Sequence, residues 1–215
     1  MEKNIYCISG LGADEKIFGN LQIPGYRLIH IPWLIPEKKE KISAYAGRMA
    51  QFIHHENPIV IGVSFGGMMG IEIAKQRTLN QLFIISSIKT SRELPAWMKW
   101  SGSLHLNKLL PVKSFRITEK ADNRRLGVTN DAEKAMVSGY RKSANTRYVN
   151  WAINQVVNWK NNWYPPGLVH IHGDEDRMFP VKKIDAHHIL KGGTHLMIWN
   201  RTGEIARIIS GEIRS

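Results

Sequence analysis

Cysteine occurs once in this 215-residue chain, at Cys7. A lone thiol cannot close an intrachain disulfide, so nothing in the composition calls for an oxidising compartment. Long apolar runs are also missing, and none approaches the roughly 20 residues that a membrane-spanning helix needs. The opening Met1-Glu-Lys-Asn-Ile carries no signal-peptide pattern. The location expected on these grounds is the cytoplasm. Internal repeats and low-complexity tracts are absent, which sets aside solenoids and disordered linkers. Carboxylates are scarce, 18 Asp and Glu against 30 Lys and Arg, giving a formal net charge of +12. At 43% hydrophobic and 22% charged residues, the remaining composition is that of a globular protein. The length suits one domain, or one domain with an insertion, and a core large enough to need no disulfide or metal.

The positive charge is local. Between Ile88 and Pro166 stand fourteen Lys and Arg against five Asp and Glu, while the flanking segments are close to balanced. That argues against a nucleic-acid-binding protein as a whole and ties the basicity to one segment. The same boundaries emerge from the hydrophobic pattern. Ile5–Ile8, Tyr26–Trp33, Pro58–Val63 and Leu82–Ile85 read as strands, Lys41–His55 reads as a helix from its 3.6-residue spacing, and a helix from Phe65 to Arg77, with Met68, Met69, Ile71 and Ile73 as apolar members, is expected after the third strand. Strands alternating with helices predict a mostly parallel sheet. From Ile88 to Pro166 no strand is evident, and helical stretches are expected at Leu104–Leu110, Asp131–Tyr140 and Arg147–Trp159. Alternation resumes at Leu168–His172 and Ala186–Leu190 and closes with a helix from Thr202 to Ile213. The expected fold class is α/β, with a core of residues 1–87 and 167–215 and a helical insertion, residues 88–166.

The most informative local feature is Gly62-Val63-Ser64-Phe65-Gly66-Gly67. It follows an apolar strand and opens a helix. A serine there sits on a tight strand-to-helix turn with its hydroxyl raised above the sheet, and side chains at the flanking glycines would clash with the elements they abut. A serine hydroxyl is inert without a base, and the base needs an orienting carboxylate. Two later loops supply both, each following a predicted strand. One is His172-Gly173-Asp174-Glu175-Asp176, with three candidate acids. The other is Gly192-Gly193-Thr194-His195, with the candidate base.

With these three motifs in chain order, the sequence resembles the α/β-hydrolases, of the small bacterial kind with a helical cap. The resemblance implies a sheet of about six strands with helices on both faces, the segment 88–166 being the cap. It implies Ser64 as nucleophile, His195 as base, and Asp176, the fourth residue after His172, as the acid in preference to Asp174 or Glu175. Ser9-Gly10-Leu11-Gly12 stands where the family commonly has His-Gly-x-Gly, and by that match the backbone N–H groups of Leu11 and Phe65 form the oxyanion hole. The loop after Ile85 reads Ser86-Ser-Ile-Lys-Thr and offers no alternative acid.

Other candidates are weaker. His170 and His172 share a strand face and His187–His188 begin the next strand, but strand-neighbour histidines are more often core than metal ligands, and no metal is expected. His54 and His55 are expected to close a helix, where positive charge suits the dipole. Gly10-x-Gly12 lacks the third glycine of a dinucleotide loop, Glu15 standing there. The insertion holds five of the seven tryptophans. Trp97, Trp100, Trp151 and Trp159 are candidates for an apolar substrate wall, with Leu11, Phe65 and Met68 opposite, although such residues also serve to bind cap helices to the core. The function expected is a serine hydrolase cleaving an ester, thioester or similar acyl substrate through an acyl-enzyme, without cofactor. The rivals are a lyase using the same triad for acid–base chemistry and a non-catalytic binder of anionic ligands. Lys89, Arg92, Lys99, Arg124, Arg125, Arg141, Lys142 and Arg147 are candidates for a field that favours an anionic substrate.

Overall fold

The computed structural model describes residues 3–103 and 115–213. Among them six strands form one parallel sheet: β1 (Lys3–Ile8), β2 (Tyr26–His30), β3 (Ile59–Val63), β4 (Gln81–Ile85), β5 (Val169–Gly173) and β6 (His188–Leu190). Their spatial order is β2-β1-β3-β4-β5-β6. In β3 to β5 every residue is buried, because helices cover both faces, and this is why those segments read as unbroken apolar runs. Alternate residues serve opposite faces. Tyr6, Ile8, Val60, Leu82 and Ile84 join one core cluster. Ile5, Cys7, Ile61, Phe83 and Ile85 join the other.

The helices are α1 (Ile42–Ala50), α2 (Phe65–Ala74), α3 (Ala96–Ser103), α4 (Phe115–Leu126), α5 (Asp131–Ser143), α6 (Thr146–Val157), α7 (Met197–Asn200) and α8 (Thr202–Glu212). α1, α2 and α6 pack into the first cluster. α7, α8 and a 3-10 turn at Glu15–Phe18 pack into the second. No described helix is long and apolar enough to cross a membrane. Between β4 and β5 the regular elements of the described residues are all helices, joined by loops, with no strand among them. The helix expected at Leu104–Leu110 lies outside the described residues. α3 and α4 carry no strong apolar periodicity and escaped the sequence reading.

Two of the helix starts in this segment follow from their caps. The Asn130 carboxamide accepts from the Glu133 N–H at 2.9 Å and starts α5. Asn145 accepts from the N–H groups of Arg147 and Tyr148 and starts α6, each satisfying donors the helix leaves orphaned. The segment meets the core at the loops that follow the strands. Gly127 lies against the Thr194 side chain, so close that a Cβ there would overlap it. Asn200 donates to Glu133 at 2.9 Å, and the Trp151 indole donates to the Glu40 carbonyl at 2.8 Å.

One expectation is corrected. α1 stops at Ala50, with Gln51 as its C-cap, so His54 and His55 lie beyond it and do not close it. The cation that meets the end of α1 is Arg77, whose guanidinium donates to the carbonyls of Ala50, Ile53 and His55. The His55 ring instead pairs with the Tyr6 hydroxyl, Nδ1 lying 2.6 Å from its oxygen.

The order reverses at β1: the chain runs from β1 outward to β2, then crosses back to β3 on the other side of β1. Loops leaving the C-terminal ends of β1 and β3 therefore diverge and open a crevice between them, the usual place for a ligand in a parallel α/β sheet. Ser9–Gly12 and Ser64 stand at that crevice.

Candidate active site

Ser64 occupies the turn between β3 and α2 with φ 53° and ψ −117°, a backbone conformation that L-residues adopt only under constraint. The constraint is visible. The Ser64 N–H donates to the Ile85 carbonyl at 2.9 Å, and the Ser64 carbonyl accepts from the Ser87 hydroxyl at 2.6 Å. A Cβ at Gly66 would overlap the carbonyl oxygens of Ile8 and Ser9, and one at Gly62 would overlap Gly66 and Gly67. The glycines thus let α2 start against β1 and β3, and the turn has room only on the outer side, where the serine side chain stands.

His195 lies on the loop between β6 and α7. Its Nε2 is 2.9 Å from the Ser64 Oγ, and its Nδ1 is 2.7 Å from the Asp176 Oδ2. With Nδ1–H donating to the carboxylate, Nε2 is left to accept the Ser64 hydroxyl proton. Asp176 is fully buried at the side chain. Its second oxygen accepts from the N–H groups of Met178 and Phe179 at 2.8 and 2.9 Å, which fixes the carboxylate plane. Phe179 also packs its ring edge-on to the His195 imidazole, centroids 5.6 Å apart.

The neighbouring carboxylates point elsewhere. Asp174 accepts from the Gly192 N–H at 2.6 Å and ties the two loops together. Glu175 is exposed and lines a cleft beyond Thr194. Among the described residues no group of three or more His, Cys, Asp or Glu could hold a metal ion. His172 donates from Nε2 to the Phe179 carbonyl at 2.8 Å, and burial lowers its pKa from the ordinary histidine value.

The other side of the crevice is the turn after β1. Ser9, fully buried, organises it: its hydroxyl donates to the Ala13 carbonyl at 2.8 Å and accepts from the Trp33 indole N–H at 3.0 Å and from His30 Nε2 at 3.3 Å. Burial lowers the His30 pKa, the charges of Glu15 and Asp14 opposing it. Leu11 is half-buried on this turn. Phe65 is the first residue of α2, whose opening N–H groups have no partner within the helix. Neither the Leu11 nor the Phe65 N–H donates to another group among the described residues.

The candidate wall residues divide. Trp151 lies near the crevice, 6.1 Å edge-on from Phe65 and 4.2 Å from Tyr45 between ring centroids. Trp159 is 5% exposed and its indole donates to the Glu72 carboxylate at 2.8 Å, while Met68 is wholly buried within the first core cluster. Packing accounts for both. On α3, Trp97 lies under the Arg125 guanidinium, 4.6 Å from ring centroid to the cation, and Trp100 is 71% exposed. The reading from sequence missed Trp33, which stacks on Phe65, and Tyr148, which packs on Trp33 from the insertion. Trp33 stacks on Phe65 at 5.2 Å with 17° between planes and lies 5.1 Å from Tyr148. The only local signal was an aromatic just after Pro32, at the C-terminal end of a strand.

No family model and no curated protein matches this chain. Solved structures do. A thermophilic esterase from Thermogutta terrifontis matches with a TM-score of 0.73 at 14% identity, over 97% of this chain and 88% of the other. MenH from S. aureus matches with a TM-score of 0.73 at 12% identity, over 99% and 93%. A meta-cleavage product hydrolase from Pseudomonas fluorescens IP01 matches with a TM-score of 0.68 at 16% identity, over 98% and 90%. At these identities the likeness is one of fold, and it extends over nearly the whole of each chain.

Proposed function

We propose that this chain, whose fold is that of the α/β-hydrolases, is a serine hydrolase acting on an ester, thioester or similar acyl substrate. The observation that carries the reading is the unbroken line Ser64 Oγ, His195 Nε2, His195 Nδ1, Asp176 Oδ2, with spacings of 2.9 and 2.7 Å. In this mechanism the Ser64 oxygen attacks the acyl carbon as His195 takes its proton. The Leu11 and Phe65 N–H groups stabilise the tetrahedral oxyanion, each worth on the order of 3 kcal/mol in the transition state. The C–O or C–S bond to the leaving group then breaks, and His195 returns the proton to it. Water, deprotonated by His195, attacks the acyl-enzyme and frees Ser64. Asp176 holds the imidazole tautomer and stabilises the imidazolium. The segment 88–166 acts as the cap over this chemistry, and the structural neighbours named as esterase and hydrolase favour it.

The test is a panel of p-nitrophenyl esters of increasing acyl length, with a fluorophosphonate probe, applied to wild type, Ser64→Ala and His195→Ala. Turnover and labelling confined to Ser64, lost in both variants at neutral pH, are expected. Labelling at another serine, or full labelling of His195→Ala, overturns the triad. Failure to trap an acyl-enzyme in a protein that still consumes substrate favours the lyase reading.

A further inference from the structure

We infer that Trp33 is a positioning residue that sets both halves of the oxyanion hole at once, an inference that rests on the hydrolase reading above. Its indole N–H is shared between the Ser9 hydroxyl at 3.0 Å and the Gly10 carbonyl at 3.2 Å. The Gly10 carbonyl and the Leu11 N–H belong to one peptide unit. No peptide bond among the described residues is cis, so in that planar trans unit the two groups point in opposite directions. Holding the carbonyl toward Trp33 therefore turns the Leu11 N–H away from it, toward the crevice. The Ala13 N–H donates to the same carbonyl at 3.1 Å, but that bond closes within the turn and can swing with it. Trp33 anchors the turn to a separate stretch of chain, the segment after β2.

The indole ring makes the second contact. It stacks on Phe65 at 5.2 Å, nearly parallel, and Phe65 contributes the other N–H. One rigid side chain thus spans the switch point between β1 and β3 and fixes the spacing of two donors that come from different loops. Tyr148 of α6 also packs on the indole, centroids 5.1 Å apart, and Ser9 completes the arrangement. Its single proton goes to the Ala13 carbonyl, so its lone pairs are free to accept from Trp33 and His30. The serine that stands where the family commonly has histidine is thus one of the two acceptors of the Trp33 N–H, beside the Gly10 carbonyl.

The experiment compares wild type, Trp33→Phe and Ser9→Ala on p-nitrophenyl butyrate. Each kcat is expressed per Ser64 labelled by fluorophosphonate at completion, so that any misfolded fraction drops out. Loss of one oxyanion donor costs about 10²–10³ in kcat; a donor that is present but released from its anchor is expected to cost about tenfold, with KM changed less than about threefold. Affinity for an alkyl boronic acid, which forms a tetrahedral adduct on serine, should fall in parallel with kcat. Ser9→Ala should move the same quantities in the same direction by a smaller factor, and it decides the matter if Trp33→Phe does not fold. An unchanged kcat per labelled site, or a loss confined to KM, overturns the positioning role while leaving the hydrolase reading intact. Wild-type protein that neither turns over the ester nor takes the label overturns the hydrolase reading instead.

Discussion

Asp174 and Asp176 stand two residues apart on one loop, yet they face different partners, Gly192 and His195. Replacing Asp176 by Asn leaves the imidazole without a carboxylate to hold its tautomer, a change that costs about 10⁴ in a related triad. Asp176→Asn is expected to lose at least about 10²-fold in kcat/KM, and Asp174→Asn less than about tenfold, measured on the same p-nitrophenyl ester. The opposite ranking would move the acid's role to Asp174. His170 is a second residue whose environment yields a measurable outcome. It is wholly buried, and among the described residues neither ring nitrogen meets a partner in hydrogen-bond geometry. Burial first, then the nearby His172, Lys89 and His187 charges, hold its pKa well below the ordinary value. The folded ring stays neutral while the unfolded one takes up a proton below about pH 6.5. Stability from this site is therefore complete above that pH and lost as pH falls, by up to about 1.4 kcal/mol per pH unit. His170→Leu should be no less stable than wild type at pH 7.5 and should lose less on going to pH 5.5, read by urea unfolding at both pH values. Equal losses in the two proteins would place the acid sensitivity elsewhere.

At the scale of the element, the strand-to-helix turn and the insertion helices impose opposite demands on glycine. Gly66 is pressed against the backbone carbonyls of Ile8 and Ser9, which cannot move aside as a flexible side chain could. Gly139, inside α5, meets nothing within 4 Å. Gly66→Ala is expected to destabilise by at least about 2 kcal/mol, because the added methyl must displace backbone, and to abolish Ser64 labelling by tilting α2. Gly139→Ala should stabilise by about 0.5–1 kcal/mol through helix propensity alone. Thermal unfolding of the two variants checks both signs, and a neutral Gly66→Ala would mean that α2 can slide on β1. The same turn explains why Arg77 caps α1: α1 and α2 pack side by side, so the end of α2 brings a cation to the last carbonyls of its neighbour.

Across the whole molecule the excess charge is unevenly committed. Lys89 is buried against the exposed carboxylate of Asp185 at 3.0 Å, which removes it from any surface field. Arg125 pairs with Asp122 and Arg141 with Glu119. A cleft of about 770 Å³ beside Thr194, the residue before His195, is lined by Lys120, Arg124, Lys134 and Arg177 together with Glu119, Asp131 and Glu175. Cations outnumber carboxylates there by four to three, and an excess of positive charge near a cleft favours ligands of the opposite sign. We propose that the physiological substrate is anionic. A carboxylated ester is expected to lose kcat/KM as salt rises from about 50 to 500 mM, because exposed charges are screened over about 10 Å at 0.1 M. A neutral ester of equal length should hold its kcat/KM across the range. Matching salt responses would reduce the charge to a solvated surface.

Strand and helix order was legible in the chain because it depends on local pattern: unbroken apolar runs for strands covered on both faces, 3.6-residue spacing for α1, α5, α6 and α8, and for α2, buried almost all round, its place after the glycine turn. The glycines around Ser64 were legible for the same reason, since a strand-to-helix turn is a matter of six consecutive residues. Loop order along the chain also pointed to the region of Asp176 and His195. What the tertiary structure alone decided are contacts between residues far apart in sequence. Ser64 and His195 are 131 positions apart, and Trp33 reaches Ser9 across 24. No periodicity marks an indole whose N–H will be shared with a particular turn, or separates Trp151, which lies beside Phe65, from Trp159, which is held by Glu72. Those distinctions arise when the switch point between β1 and β3 brings separate loops together, because packing, rather than propensity, determines which face of a side chain meets the site.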